Sequence, residues 1–278
     1  MGFLGTGNES YLYLGGIKVN EEIPLTDSVS ILPLTQRLDI NTIPKTLESE
    51  VDFGIVIIFA RTLSAHLKII AGGPEEVAIT SWNSQWYLIL LSAIFKTEIS
   101  WNIQSTHPTD LVSEESILGV TNYHLRGLHS NVHEVTCEEA EWLKKYFAHA
   151  KNLLDNNSSF KTAVHSLATF KWHTLPRIQL AVIWAGIEAL FGVESEITFR
   201  ISLYIAKFLA GSNPVESKRL FEETKKLYKI RSTAVHGSEM KKEPSEAVEQ
   251  SAELLQKLII KCIELNALPD ADALLFEK

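Results

Sequence analysis

The sequence predicts an α+β N-terminal domain over residues 1–130, followed by an all-α helical bundle over residues 131–278. Two observations carry that expectation. Up to about residue 125, short apolar, β-branched runs bounded by glycines alternate with one long helical stretch. Beyond Thr136, apolar residues recur at helical spacing and the capping signals follow one another as they do between consecutive helices.

In the first half, Tyr11–Leu14 and Ile17–Val19 read as strands flanking the turn signal Gly15-Gly16. Val29–Leu34 and the β-branched, apolar Val51–Ala60 read as further strands. Ser64–Ile70 follows and ends at Gly72-Gly73. Pro74 opens a helix, with Glu75 and Glu76 placed to favour its N-terminal dipole. Trp82, Trp86, Ile89, Leu90 and Ala93 recur along it at helical spacing, which places both tryptophans in the core rather than on a stacking surface for bases or sugars. Ile99, Trp101 and Ile103 alternate as a strand, and residues 106–136 are the irregular junction.

In the second half, Thr136…Glu139 is a capping box, and Trp142, Leu143, Tyr146, Phe147, Ala150 and Leu154 form one helix face. Ser158 or Ser159 caps the next helix. Pro176 opens a third that is apolar nearly all round and ends at Gly192, which marks it as the central helix. Ser195 caps a fourth running to Gly211. Asn213-Pro214 starts a fifth that ends at His236-Gly237, and Pro244 or Ser245 starts the last long one. Short connections of this kind favour an up-and-down bundle.

Composition sets limits on function. The chain has 278 residues, 45% hydrophobic and 22% charged, which is ordinary for globular proteins. A formal net charge of -8 excludes indiscriminate attraction to nucleic acid, so any RNA contact needs a local patch. Glu216 to Lys242 offers one in Lys218, Arg219, Lys225, Lys226, Lys229, Arg231, Lys241 and Lys242, interrupted by four glutamates. The same residues also fit a solvated face of mixed charge. Two cysteines, Cys137 and Cys262, exclude a disulfide scaffold and fit a reducing, cytoplasmic setting. No apolar run reaches the roughly 20 residues of a membrane span. The N-terminus lacks the features of a signal peptide, and Met1-Gly2-Phe3-Leu4-Gly5-Thr6 matches a myristoylation pattern only formally.

The chemistry concentrates at Leu227-Tyr228-Lys229-Ile230-Arg231-Ser232-Thr233-Ala234-Val235-His236-Gly237. Arg231 is always charged, and His236 titrates near neutrality. Five residues apart on a regular helix, they would point roughly 140° away from each other. A glycine stop at Gly237 loosens that geometry, so both can turn toward one phosphate. The spacing alone is not specific: Arg61…His66 repeats it in a strand-like run, and Arg126…His133 resembles it in a loop. Only Arg231/His236 ends an amphipathic helix in the helical half. His129 and His133 stand at metal-clamp spacing near His124 and Cys137, but no carboxylate pattern completes a ligand set, so no metal or other cofactor is expected. Glu188 is a carboxylate in an apolar helix and needs a cationic partner, Arg231 or Arg200.

The phrases Trp184-Ala-Gly-Ile-Glu-Ala-Leu-Phe191, Arg200 in the next helix, and Leu227 to Gly237 resemble the ApeA-like group of the HEPN superfamily over roughly residues 136–266. The resemblance implies an all-α HEPN-type bundle and a metal-independent endoribonuclease that acts as a homodimer, with two R-x4-6-H motifs meeting in one cleft. It makes Arg231 and His236 the catalytic pair. Ser232 keeps the polar residue that usually follows the arginine. It also implies an RNA substrate and, for many members, a role as anti-phage effector or toxin, some with an antitoxin or a larger defence assembly as partner. Other members have lost cleavage and only bind nucleic acid or dimerise.

The residues fit either outcome. RNA supplies its own 2′-OH nucleophile, so cleavage needs a base, an acid and positive charge at phosphorus. Two copies of His236 could divide the proton transfers and Arg231 could hold the non-bridging oxygens. Glu188 would orient Arg231, or simply form a structural ion pair. Tyr228 would line the cleft or pack, and Lys225 and Lys229 would hold the RNA backbone. The N-terminal domain would sense a trigger or restrain the nuclease.

Overall fold

The computed structural model describes residues 4–43, 47, 49–128, 131–193, 196–235 and 244–276. The readings made at Met1–Phe3, His129, Ser195, His236, Gly237, Lys241 and Lys242 lie outside them. Two compact units are formed, Met1–Ala148 and His149–Lys278.

The first unit is built on an antiparallel sheet. Its strands are β1 (Glu9–Gly15), β3 (Ile23–Thr26), β4 (Val29–Pro33), β5 (Leu63–Ile70), β6 (Ser100–Ser105) and β7 (Leu118–Val120), in the order β3-β4-β5-β1-β6-β7. The short strands β2 (Ile17–Lys18) and β8 (His133–Glu134) pair in parallel beside it. β1 lies at the centre, with Leu12 opposite Leu67 on one side and Gln104 on the other. Its side chains alternate between two covered faces, so almost all of it is buried. On one face Tyr11, Tyr13 and Ile103 meet Ile55, Val56 and Phe59 of α1 (Glu50–Ala60). On the other, α2 (Pro74–Ile94) lies against β1 and β5. There Gln104 is wholly buried; its NH2 shares two hydrogens among Ser10 Oγ at 2.7 Å, the Leu4 carbonyl at 3.1 Å and Ser81 Oγ at 3.2 Å, and its Oε1 accepts from the Leu4 amide at 2.6 Å.

Gly16 holds the turn between β1 and β2. Its φ is +86°, and a Cβ there would lie 2.1 Å from the Glu98 carbonyl oxygen, so only glycine fits.

Two sequence expectations fail in this unit. Val51–Ala60 is helix α1, not a strand. Ser49 caps it by accepting from the Asp52 amide at 3.4 Å, and Glu50 and Asp52 sit in its first turn. Trp82 is 57% exposed and Trp86 is half-buried; the inward face of α2 is Val77, Ser81, Ser84, Leu88 and Leu91 instead. Serines thus occupy positions where α2 approaches the sheet closely, and the Trp82 indole turns outward.

The second unit is helical: the end of α3 (Cys137–Asn156), then α4 (Ser158–Thr169), α5 (Pro176–Phe191), α6 (Ile197–Ala210), α7 (Pro214–Val235), α8 (Ser245–Leu265) and the short α9 (Ala271–Phe276). The expected capping box opens α3: Glu139 N–H donates to Thr136 Oγ1 at 3.2 Å, and Thr136 N–H donates to the Glu139 carboxylate at 2.9 Å. Asn157, one residue before the expected serines, caps α4 by accepting from the Phe160 amide. Asn213 accepts from the Val215 and Glu216 amides at the start of α7. Helix α5 touches α4, α6, α7 and α8 and is the central helix of this unit. It ends in left-handed Gly192, whose N–H closes on the Glu188 carbonyl at 3.0 Å. Midway along it, Gly186 lets α4 and α8 come close. A Cβ there would stand 2.8 Å from Ser166 Cβ and 3.0 Å from a Leu255 methyl.

Candidate functional site

Arg231 lies in the last turns of α7, on the side that faces α5. Helical geometry puts it there: Leu220, Thr224, Leu227 and Ala234 form the buried stripe of α7, and Arg231 continues it. Its guanidinium meets Glu188 of α5, with Nη2 3.1 Å from Oε1 and 3.2 Å from Oε2. One nitrogen thus straddles both carboxylate oxygens instead of forming a parallel fork. The angle to Oε1 is outside hydrogen-bonding geometry, so that 3.1 Å contact is purely electrostatic. Arg200, the other candidate partner, lies near Glu196 at 3.5 Å and is substantially exposed.

The pair is well shielded, with side-chain exposures of 17% for Arg231 and 29% for Glu188. Tyr228, one turn back, lies under the guanidinium with its ring centroid 5.4 Å from Cζ. Its other neighbour is Trp184, edge-to-face at 5.1 Å and 87°. Trp184 in turn donates from Nε1 to Ser251 Oγ of α8 at 3.1 Å, entirely out of solvent. Burial first, then the negative charge of Glu188, pushes the Tyr228 hydroxyl above its ordinary pKa. The chain Ser251–Trp184–Tyr228–Arg231–Glu188 therefore ties α8, α5 and α7 together through polar and aromatic contacts.

Two atoms of this cluster lack hydrogen bonds. Arg231 Nε and Glu188 Oε1 are buried without a partner among the described residues. Arg231 Nη1 also has no protein partner among them. With Nε sealed from solvent, Nη1 is the donor nitrogen left to meet an acidic group from outside the chain.

The remaining candidates divide. Ser232 is half-buried and projects about 100° round the helix from Arg231. Lys225 and Lys229 are exposed, roughly 120° and 160° round from it, so they lie on the outer face of α7. Lys225 Nζ rests 5.7 Å from the Phe221 ring. Arg219 is clamped between Glu216 and Glu223, which neutralises part of the basic stretch. His236 lies outside the described residues, so Arg231, Glu188 and Tyr228 are the members of the proposed site brought together here. Trp184 and Ser251 complete that cluster. Trp184 stood in the phrase that carried the resemblance, whereas nothing in the local sequence marks Ser251.

The histidines of the similarly spaced pairs are structural. His66 is 1% exposed in β5, packed against Tyr13 at 5.1 Å, and its Nε2 accepts from the Thr109 amide at 3.3 Å. Burial lowers its pKa to about 4, so it is a neutral core histidine. His133 stacks on Phe95 at 4.6 Å and meets the Glu139 carboxylate at 3.1 Å. Among the described residues, no three His, Cys, Asp or Glu side chains group as a metal site. Cys137 and Cys262 are free thiols, and no described helix is long and apolar enough to cross a membrane.

Compared with protein-family models, curated proteins and solved structures, the chain finds no match. The likeness to the HEPN superfamily therefore rests on the residues quoted for it.

Proposed function

We propose that this protein is a metal-independent endoribonuclease of HEPN type that works as a homodimer, as an anti-phage effector or toxin. The observation that supports the reading best is the free donor capacity of Arg231 Nη1: the guanidinium is braced by Glu188 and Tyr228, and that nitrogen has no protein partner among the described residues. In this mechanism one His236 removes the 2′-OH proton and O2′ attacks phosphorus. The two copies of Arg231 stabilise the charge on the non-bridging oxygens. The second His236 protonates the departing 5′-oxygen, leaving a 2′,3′-cyclic phosphate and a 5′-OH end. Glu188 limits the positions Arg231 can adopt, so less orientational freedom remains to be lost at the transition state.

A second reading is favoured by the burial of the Arg231–Glu188 pair. A guanidinium already neutralised by a carboxylate also serves as an internal brace, and the bundle would then be a non-catalytic module that dimerises or binds nucleic acid. Induced expression of wild type, Arg231→Ala and His236→Ala under phage challenge separates the two. The nuclease reading expects growth arrest and RNA loss with wild type only, while both variants stay folded by circular dichroism. Intact RNA in all three cultures favours the binding module.

A further inference from the structure

A cavity of about 410 Å³ opens in the first unit where the end of α1, the start of β5 and β2 come together. Two arginines line it, Arg37 after β4 and Arg61 at the C-terminus of α1. Neither side chain has a carboxylate partner among the described residues. This is unusual within a chain that carries 34 acidic against 26 basic residues, and in which Arg200, Arg219 and Arg231 all meet glutamates. Among the described residues, no acidic side chain lines the cavity. Lys18 also faces it, but its ammonium is 3.0 Å from Glu134 and so contributes little net charge.

The walls are fixed by backbone. Ser64 Oγ donates to the Ile17 carbonyl at 2.6 Å, which binds β2 to the head of β5. Gly16, held by its left-handed φ against Glu98, forms one side. Val19, Leu34, Leu63, Leu128 and Val132 supply the apolar lining, with Thr62 beside them. Small-ligand sites are clefts of roughly 300–1,000 Å³ lined by apolar side chains and a few polar groups.

We propose that this cavity binds a small organic phosphate, with Arg37 and Arg61 on the phosphate oxygens and the ligand's apolar body against Leu34, Leu63 and Leu128. Charge selects phosphate over carboxylate. Two guanidiniums with no carboxylate partner among the described residues match a monoester that carries about -1.5 to -2 at neutral pH, and would overcompensate a single carboxylate. Planar guanidinium forks also suit the three oxygens of a phosphoryl group. The inference concerns the first unit alone and stands whether or not the helical unit cleaves RNA.

Calorimetric titration of the full chain with phenyl phosphate tests it, alongside inorganic phosphate, phenol and benzoate. Phenyl phosphate binds at millimolar concentration or below, and each of the other three more weakly. Arg37→Ala and Arg61→Ala each weaken it about tenfold, the loss of a charge-assisted contact, while Lys18→Ala changes it less. Both arginines are exposed, and circular dichroism verifies that the variants fold. Equal binding by wild type and the Arg37→Ala/Arg61→Ala double variant, or no binding by wild type, overturns the site. Benzoate binding as tightly as phenyl phosphate overturns the phosphate assignment, and equal affinity for inorganic phosphate overturns the apolar half.

Discussion

Replacing Glu188 with leucine leaves the Arg231 guanidinium shielded and without its counter-ion. A hydrogen bond to a charged group contributes about 1.5–3 kcal/mol, and a fully buried pair broken on one side costs about 3–5 kcal/mol. The exposures of 17% and 29% place this pair between surface and interior, and a single nitrogen bridges both oxygens. The substitution therefore costs about 2 kcal/mol. Hydrogen exchange read peptide by peptide is the suitable assay, because a chain of two units need not unfold as one. Amides of α5 and α7 then exchange about 30-fold faster, since every 1.4 kcal/mol is tenfold. Exchange in the β-sheet stays unchanged. The double variant Glu188→Leu/Arg231→Met removes both charges and recovers most of the protection, as apolar replacement of a whole pair does. If Glu188→Leu leaves α5 and α7 unaltered, or the double variant loses as much as the two singles added, the brace is not what holds these helices.

Gly186→Ala forces a methyl into the crossing of α5 with α4 and α8; overpacking of about 1–3 kcal/mol outweighs the roughly 1 kcal/mol gained in helix propensity, and the melting temperature of the helical unit falls. His66 makes the first unit acid-sensitive. Its folded pKa is about 4 against 6.5 unfolded, so the unfolded chain takes up the extra proton as pH falls between those values. Stability is full above the upper value and falls by about 3 kcal/mol by the lower one, measured as the denaturation midpoint of the sheet. His66→Gln keeps an acceptor for the Thr109 amide and flattens that pH dependence.

The helical half was the more legible in sequence because its signals are local. Thr136 and Glu139 cap each other across three residues, Asn213 precedes Pro214, and Gly192 stops α5; the structure uses each as such. The need of Glu188 for a cation was also readable, although only the fold chose Arg231 over Arg200. The failures share a cause. In α1, apolar side chains run all round the helix, with Val51, Phe53 and Ile58 exposed, so no period distinguishes it from a buried strand; the cap at Ser49 was the surviving signal. For Trp82, spacing identified a stripe but not which side of α2 met the sheet, because the true contact face is built partly from serines. β7 and β8 have three and two residues, too few to show any alternation, and exist through pairing with distant partners. That Arg37 and Arg61 have no carboxylate partner among the described residues is likewise a property of three-dimensional neighbours.

The central position of β1 has a consequence for biogenesis. During translation this strand is made before either partner: β5 begins at Leu63 and β6 at Ser100. A ribbon of Tyr, Leu, Tyr and Leu, destined to be hidden on both sides, waits with open backbone groups while some ninety further residues are polymerised. Until the sixth strand emerges, the edge of β1 that β6 will cover has no strand of its own chain to pair with.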